Sequence, residues 1–247
     1  MMRAFIFILA IWFAAPAIAK EAPRNTLYLV TTMRAAPAEL KSLIADLKSL
    51  KADGYYEHAQ RTAPLIMRHS QGDQWDLMLL EPVGSYQAFF AKKRMQIELE
   101  AKERYADTIW QLEARLAFRE ELFAWGPNAE FVGEHVKDAG LFHIEMFDAA
   151  PAMKAKLIEQ REMENQYLQA TKRRGNLIFV ADMGSNVDAF TIGAYKDLAA
   201  FAARPDLPEG TSLKAAKDAG FTDDNSIGFY LRELISAHHD TLAVLVE

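Results

Sequence analysis

The chain of 247 residues contains no cysteine. That absence excludes disulfides, a thiolate nucleophile, a cysteine-held iron–sulfur cluster and a lipoprotein attachment site, so the fold must hold through its core alone. Positive charge is also scarce, with 28 Lys and Arg against 34 Asp and Glu and a net charge of −6. An acidic chain is a poor partner for nucleic acid or an anionic membrane surface. The cluster Lys172, Arg173 and Arg174 is too short to reverse that and reads as a solvated helix end. No G-x-G-x-x-G, phosphate-loop or G-x-S-x-G pattern occurs, which leaves nucleotide and serine-hydrolase chemistry without support.

Long apolar runs are confined to the N-terminus. Arg3, the apolar stretch from Ala4 to Ala15 and the small residues of Ala17-Ile18-Ala19 form the three regions of an export signal, expected to be removed after residue 19. Pro16 breaks the run, which falls short of the roughly 20 residues of a spanning helix. The expected location is periplasmic or extracellular, with no membrane span once the signal is gone. Loss of the signal would remove Arg3 alone, leaving 27 basic and 34 acidic side chains and a net charge near −7.

The remaining chain repeats itself. "TLYLVTTMRAAPA" (26–38) lies over "GLFHIEMFDAAPA" (140–152) at an offset of 114, with Leu27 on Leu141 and the run AAPA on itself. "LIMRHSQGDQWDLMLLEPVGSYQAFF" (65–90) lies over "LIFVADMGSNVDAFTIGAYKDLAAFA" (177–202) at an offset of 112, matching Leu65, Ile66, Gly72, Asp76, Ala88 and Phe89 with identical residues. A two-residue gap near Gly54 reconciles the offsets. We therefore expect two repeats, 26–136 and 140–247.

Each repeat reads as a strand (27–33; 141–147), a helix begun by Ala-Pro (38–52; 152–172) and two strands joined at Gly72 or Gly184 (64–70 and 75–81; 176–182 and 187–194). Helices then follow, at 85–93 and 95–125 in the first repeat and at 197–203, 211–219 and 224–238 in the second. Final strands are expected at 129–135 and 241–247. The order β-α-β-β-α-β, twice, is that of two tandem ferredoxin-like units. This order, with the AAPA and LI…G…D landmarks, resembles the dimeric α+β barrel superfamily, including antibiotic-biosynthesis monooxygenase-like, EthD-like and NIPSNAP-like proteins. The resemblance implies an α+β fold in which the two repeats pack as an intramolecular barrel, and a ligand pocket in the space between the sheets.

Each repeat is a control for the other. Leu29 and Thr31 correspond to His143 and Glu145, a candidate acid–base pair expected to point into the space between the sheets. Leu47 and Leu50 correspond to Arg161 and Glu164, charged ligand-binding candidates that could pair along the helix, reach solvent or hold a ligand; a gap inside the helix would put Glu159 and Glu162 there instead. His238, His239 and Asp240, just before the last strand, are further ligand-binding candidates, with the helix-end hydrogen bond as their ordinary role. No metal is predicted, although His143, Glu145, His238 and His239 carry the right ligand chemistry. Trp75, Trp110, Trp125, Phe89, Phe90, Phe118 and Phe123 are expected in the core and helix contacts, and Arg119 with Glu120 or Glu121 as a helix-face ion pair.

These readings lead to an exported protein that binds a small, partly apolar molecule, as a monomer or loose homo-oligomer. Cofactor-independent monooxygenase- or isomerase-like chemistry would suit a pocket with one acid–base pair and no cofactor motif. The alternatives are a non-enzymatic envelope protein assembled through the helix at 95–125, and a haem protein, because tandem barrels of this length also resemble chlorite dismutase-like proteins.

Overall fold

The computed structural model describes residues 22–246, so the expected export signal lies outside the described residues. The first half runs β1 (Thr26–Ala35), α1 (Leu40–Ala52), α2 (Tyr55–His58), β2 (Leu65–Gln71), β3 (Leu77–Gly84), α3 (Tyr86–Phe89), α4 (Lys92–Arg104), α5 (Ala106–Ala114) and β4 (Leu116–Gly126). Helix α6 (Ala129–Val136) then leads to β5 (Leu141–Ala149), α7 (Lys154–Ala170), β6 (Leu177–Met183), β7 (Ala189–Tyr195), α8 (Leu198–Ala202), α9 (Thr211–Asp218), α10 (Ser226–Leu234) and β8 (Ile235–Leu245). The expected first, second and third strands of both repeats are found. Three expectations fail. The sequence 129–135 is helix α6, the long helix at 95–125 is two helices followed by strand β4, and the helix at 224–238 ends at Leu234, so His238, His239 and Asp240 lie inside β8.

All strand pairs are antiparallel, and the eight strands close in the order β1-β3-β2-β8-β5-β7-β6-β4. Each half contributes a ferredoxin-like sheet, β4-β1-β3-β2 or β8-β5-β7-β6. The sheets join where β2 meets β8 and β4 meets β6. Two glycines fit these seams. An added Cβ at Gly72 would stand 2.0 Å from the backbone oxygen of Asp240, and one at Gly184 would stand 2.3 Å from that of Glu121.

The other landmarks of the duplication also have local causes. In AAPA the proline precedes the helix instead of entering it. The amide of Glu39 donates to Ala36 O at 2.9 Å and that of Met153 to Ala150 O at 2.9 Å, with Ala38 and Ala152 at φ 70° and 65°. This is a turn with proline second and a left-handed third residue, which reverses the strand before the helix starts. Asp76 and Asp188 finish the same corner by accepting from the amides of Ala35 (2.8 Å) and Ala149 (2.9 Å).

The barrel interior is apolar and filled. Tyr28 and Val30 of β1 meet Phe142, Ile144 and Met146 of β5, with Phe179 stacked on Phe190 at 4.7 Å and Tyr28 edge-on to Phe179 at 5.2 Å. Alternation along each strand turns Leu29, Thr31 and Met33, and likewise His143, Glu145 and Phe147, to the outer face beneath the helices. Trp75 is buried as expected, whereas Trp110 is 72% exposed and Phe90 is 48% exposed. Arg119 and Glu121 pair along strand β4, not on a helix.

Candidate functional site

The outer faces of the two sheets carry different contents. His143 and Glu145 do not enter the space between the sheets, because the large residues alternating with them occupy it. They face α7 and β8 instead. Register puts Glu145 beside Asp240 and Phe147 beside His238. His143 Nε2 lies 3.1 Å from Asp240 Oδ1, while His238 Nε2 lies 3.4 Å from the same oxygen and 3.6 Å from Glu145 Oε1. The other oxygen of Glu145 accepts from Thr191 Oγ1 at 3.0 Å and faces Arg161 Nη1 at 3.5 Å.

Arg161 comes from α7 and is 2% exposed at its side chain. It donates to Gln160 Oε1 at 2.7 Å, pairs with Glu164, and stacks over Phe147 at 5.0 Å. The offset of 114 therefore holds along the helix, and Glu159 and Glu162 do not take these places. Glu162 instead pairs with Arg24 at 2.5 Å. Thus His143, Glu145, Arg161, Glu164, His238 and Asp240 converge. His239 does not, since its Nδ1 lies 3.6 Å from Asp73, on the opposite side of the strand.

Charge sets the protonation of this cluster. The facing carboxylates of Asp240 and then Glu145 push His238 up to about 9, and the two histidines hold Asp240 below the usual carboxylate range. Burial opposes the imidazolium at His143, but Asp240 and Glu145 outweigh it and raise its pKa. At Glu145 burial likewise loses to His238, Arg161 and His143, so the carboxylate stays ionised; at Glu164 burial wins and the pKa rises. Arg232 Nη1 sits 3.2 Å from His238 Nδ1. A guanidinium only donates, so this contact requires a bare Nδ1 and competes with full protonation of the ring.

In the first half the corresponding space is a cavity of about 830 Å³. Leu29, Thr31 and Met33 of β1, Leu47 and Leu50 of α1, and Leu79 of β3 line it, with Tyr55, Tyr56, Phe89 and residues of α4 and α5 closing it. Its polar end is an ion-pair network. Arg61 holds the buried Glu81 with two donors, Nε at 2.7 Å among them, and reaches Glu98 at 3.0 Å. Glu98 also binds Arg94 at 2.6 Å and Lys102 at 3.0 Å. The Nε of Arg94 is buried without a hydrogen-bond partner. The hydroxyls of Thr31 and Tyr56 also line the cavity, and neither makes a hydrogen bond among the described residues. Burial pushes the Tyr56 phenol up to about 12, so it remains a neutral donor.

No family model and no curated protein sequence matches the chain. Solved structures do. An anthrone oxidase-like protein superposes with a TM-score of 0.57 at 10% identity, covering 90% of this chain and 92% of its own. A protein of Fusobacterium nucleatum subsp. nucleatum ATCC 25586, provisionally assigned as a monooxygenase, gives 0.51 at 12% identity, covering 90% and 93%. The fold is that of the dimeric α+β barrels. A chlorite dismutase mutant from Candidatus Nitrospira defluvii reaches 0.49 at 11% identity, covering 93% and 94%. The side chains do not fit haem. Neither histidine nor cysteine lines the first-half cavity, and the Nε2 atoms of His143 and His238 face carboxylates at 3.1–3.6 Å, which leaves no room for a porphyrin between them. Among the described residues no helix is long and apolar enough to cross a membrane.

Sequence reasoning missed the cavity, and one signal could have found it. Glu81 stands in "LMLLEPVG", an acid in an apolar strand, as Glu145 does in "LFHIEMFDA". The spacing Arg94, Glu98, Lys102, four residues apart on α4, marks the helix face that meets it.

Proposed function

We propose that this chain is an exported protein that binds a small, partly apolar molecule in the cavity of its first half, with a polar or anionic group of the ligand at Arg61, Arg94 and Tyr56. The observation that carries this reading is a cavity of about 830 Å³, within the size of ordinary ligand sites. It combines leucine, methionine and aromatic walls with unpartnered donors at one end. A buried donor without an acceptor costs about 1–3 kcal/mol, which a ligand acceptor would recover. Export rests on the pattern of residues 1–19.

A catalytic reading of the same cavity is favoured by one further observation. The neutral Tyr56 hydroxyl and the unpartnered Nε of Arg94 are donors that could take up negative charge on a bound enol or phenol. That is the requirement of cofactor-independent oxygenation or isomerisation, and two of the similar structures carry oxidase-like or monooxygenase names.

The test uses 1-anilinonaphthalene-8-sulfonate, an apolar ring system with one anionic group, as a fluorescent probe. Leu47→Arg combined with Leu50→Glu places the second-half side chains in the cavity and should abolish probe binding while the chain remains folded by circular dichroism. Unchanged probe affinity in that variant would remove the cavity as the binding site. Oxygen uptake with phenolic or enolic ligands then separates catalysis from binding.

A further inference from the structure

Two histidines and two carboxylates of the second half cluster outside the cavity, and their ligand-type atoms face one another. His143 and Glu145 come from β5, His238 and Asp240 from β8. One ligand atom each of His143, Glu145 and Asp240 lie within 4.8 Å of one another. The spacings His143 Nε2 to Asp240 Oδ1, His238 Nε2 to Asp240 Oδ1, and His238 Nε2 to Glu145 Oε1 are 3.1, 3.4 and 3.6 Å. Ligands around a tetrahedral ion at about 2.0–2.2 Å stand roughly 3.3–3.6 Å apart. Three of the six edges of a four-ligand site thus have about this length, and His238, which stands outside the group of three, must close on it when an ion binds.

His238 supplies an independent observation. Its side chain is 9% exposed, and its Nε2 is buried without a hydrogen-bond partner although it is aimed between two carboxylates. A closed ion pair would stand at about 2.7–2.9 Å. The longer spacings leave the nitrogen facing the centre of the cluster. Glu145 is held for the same geometry, because Thr191 and Arg161 occupy Oε2 and leave Oε1 towards His238. Arg161 itself is engaged by Gln160 and Glu164.

We propose that this cluster binds a first-row divalent transition ion such as Zn²⁺, with His143 Nε2, His238 Nε2, Glu145 Oε1 and Asp240 Oδ1 as ligands. Two imidazoles and two carboxylates suit that class of ion better than Ca²⁺ or Mg²⁺, which take oxygen ligands. Ligation by His238 Nε2 requires the proton on Nδ1, where Arg232 now lies at 3.2 Å. Arg232 is exposed and must turn away, so it competes with the ion.

The test is titration of the untagged, chelator-stripped chain with Zn²⁺ by calorimetry and with Co²⁺ by visible absorption. One ion per chain is expected, with Mg²⁺ at least 100-fold weaker. His143→Gln and Asp240→Asn should each weaken Zn²⁺ binding at least tenfold, and Arg232→Gln should tighten it severalfold. His239→Gln, whose ring faces Asp73, should leave it unchanged. Melting of the unsubstituted chain reads the same site without a variant, and Zn²⁺ but not Mg²⁺ should raise the midpoint. Absence of Zn²⁺ binding overturns the proposal, as does equal affinity in His143→Gln and Asp240→Asn, or an equal loss in His239→Gln. Unchanged affinity in Arg232→Gln removes His238 from the ligand set.

Discussion

The outer faces of β1 and β5 are one surface built twice and finished in opposite ways. Leu29, Thr31, Leu47 and Leu50 leave an open cavity in the first half, while His143, Glu145, Arg161 and Glu164 fill the matching space of the second with charge. The correspondence extends to the last strands. Thr31 pairs with Glu121 as Glu145 pairs with Asp240, and Met33 meets Arg119 as Phe147 meets His238. What stays fixed is the backbone: the AAPA turn, the aspartates that finish it and the glycines at the seams. Leucine side chains cannot reach one another across the gap, whereas the guanidinium of Arg161 can gather Gln160, Glu164 and Glu145. Space and charge are therefore interchangeable here without a change of fold.

The sharpest way to break this comparison is to convert the second half into the first. Arg161→Leu alone leaves Glu145 and Glu164 buried without their cation and should cost about 3–5 kcal/mol in urea unfolding. Adding His143→Leu, Glu145→Thr and Glu164→Leu should recover most of that loss. A quadruple variant no more stable than the single one would show that the fold needs the charges and that the halves are not equivalent.

A smaller effect should follow from pH, measured with a chelator present. His238 is held at about 9 against an ordinary 6.5, so the native state binds the extra proton between those values. Its contribution is complete below about pH 6.5 and is lost as pH rises through about 9. His143 is shifted in the same direction. His238→Arg installs the first-half residue, which does not titrate in this range, and should flatten the decline in unfolding free energy from pH 6.5 to 9. A variant that keeps the full slope would assign the decline to other groups.

The smallest effect concerns what the halves share. Ala38 and Ala152 sit at positive φ, a conformation that glycine adopts without strain. Ala38→Gly and Ala152→Gly should each raise stability by about 0.5–1 kcal/mol, and by similar amounts. Unequal changes in thermal melting would separate the two turns.

Fold was more legible than site. Alternation in "TLYLVTT" and "LFHIEMF" identified both first strands, and comparison of the copies singled out His143, Glu145, Arg161 and Glu164, which do meet. The direction in which they point was misread, because alternation gives two faces without saying which is inside. That choice belongs to Phe142, Ile144 and Met146, whose packing against Tyr28 and Phe179 involves the other half of the chain. Strand β4 resembles a helix in sequence for a similar reason. "LAFREELFAWG" has the charged residues of a solvated helix, and only pairing with β1 on one side and β6 on the other makes it a strand. The cavity was invisible as a cavity, since empty space is set by what leucines fail to fill.

The link through α6 also bears on how such a surface can change over generations. In a barrel made of two identical chains, every substitution on the outer face of the first strand occurs twice, and a charge tolerated at one place must be tolerated at both. With the two sheets in one chain, a mutation at residue 29 leaves residue 143 alone. One copy can keep a chamber while the other accumulates ionisable groups, and the closed ring of strands holds both to the same frame.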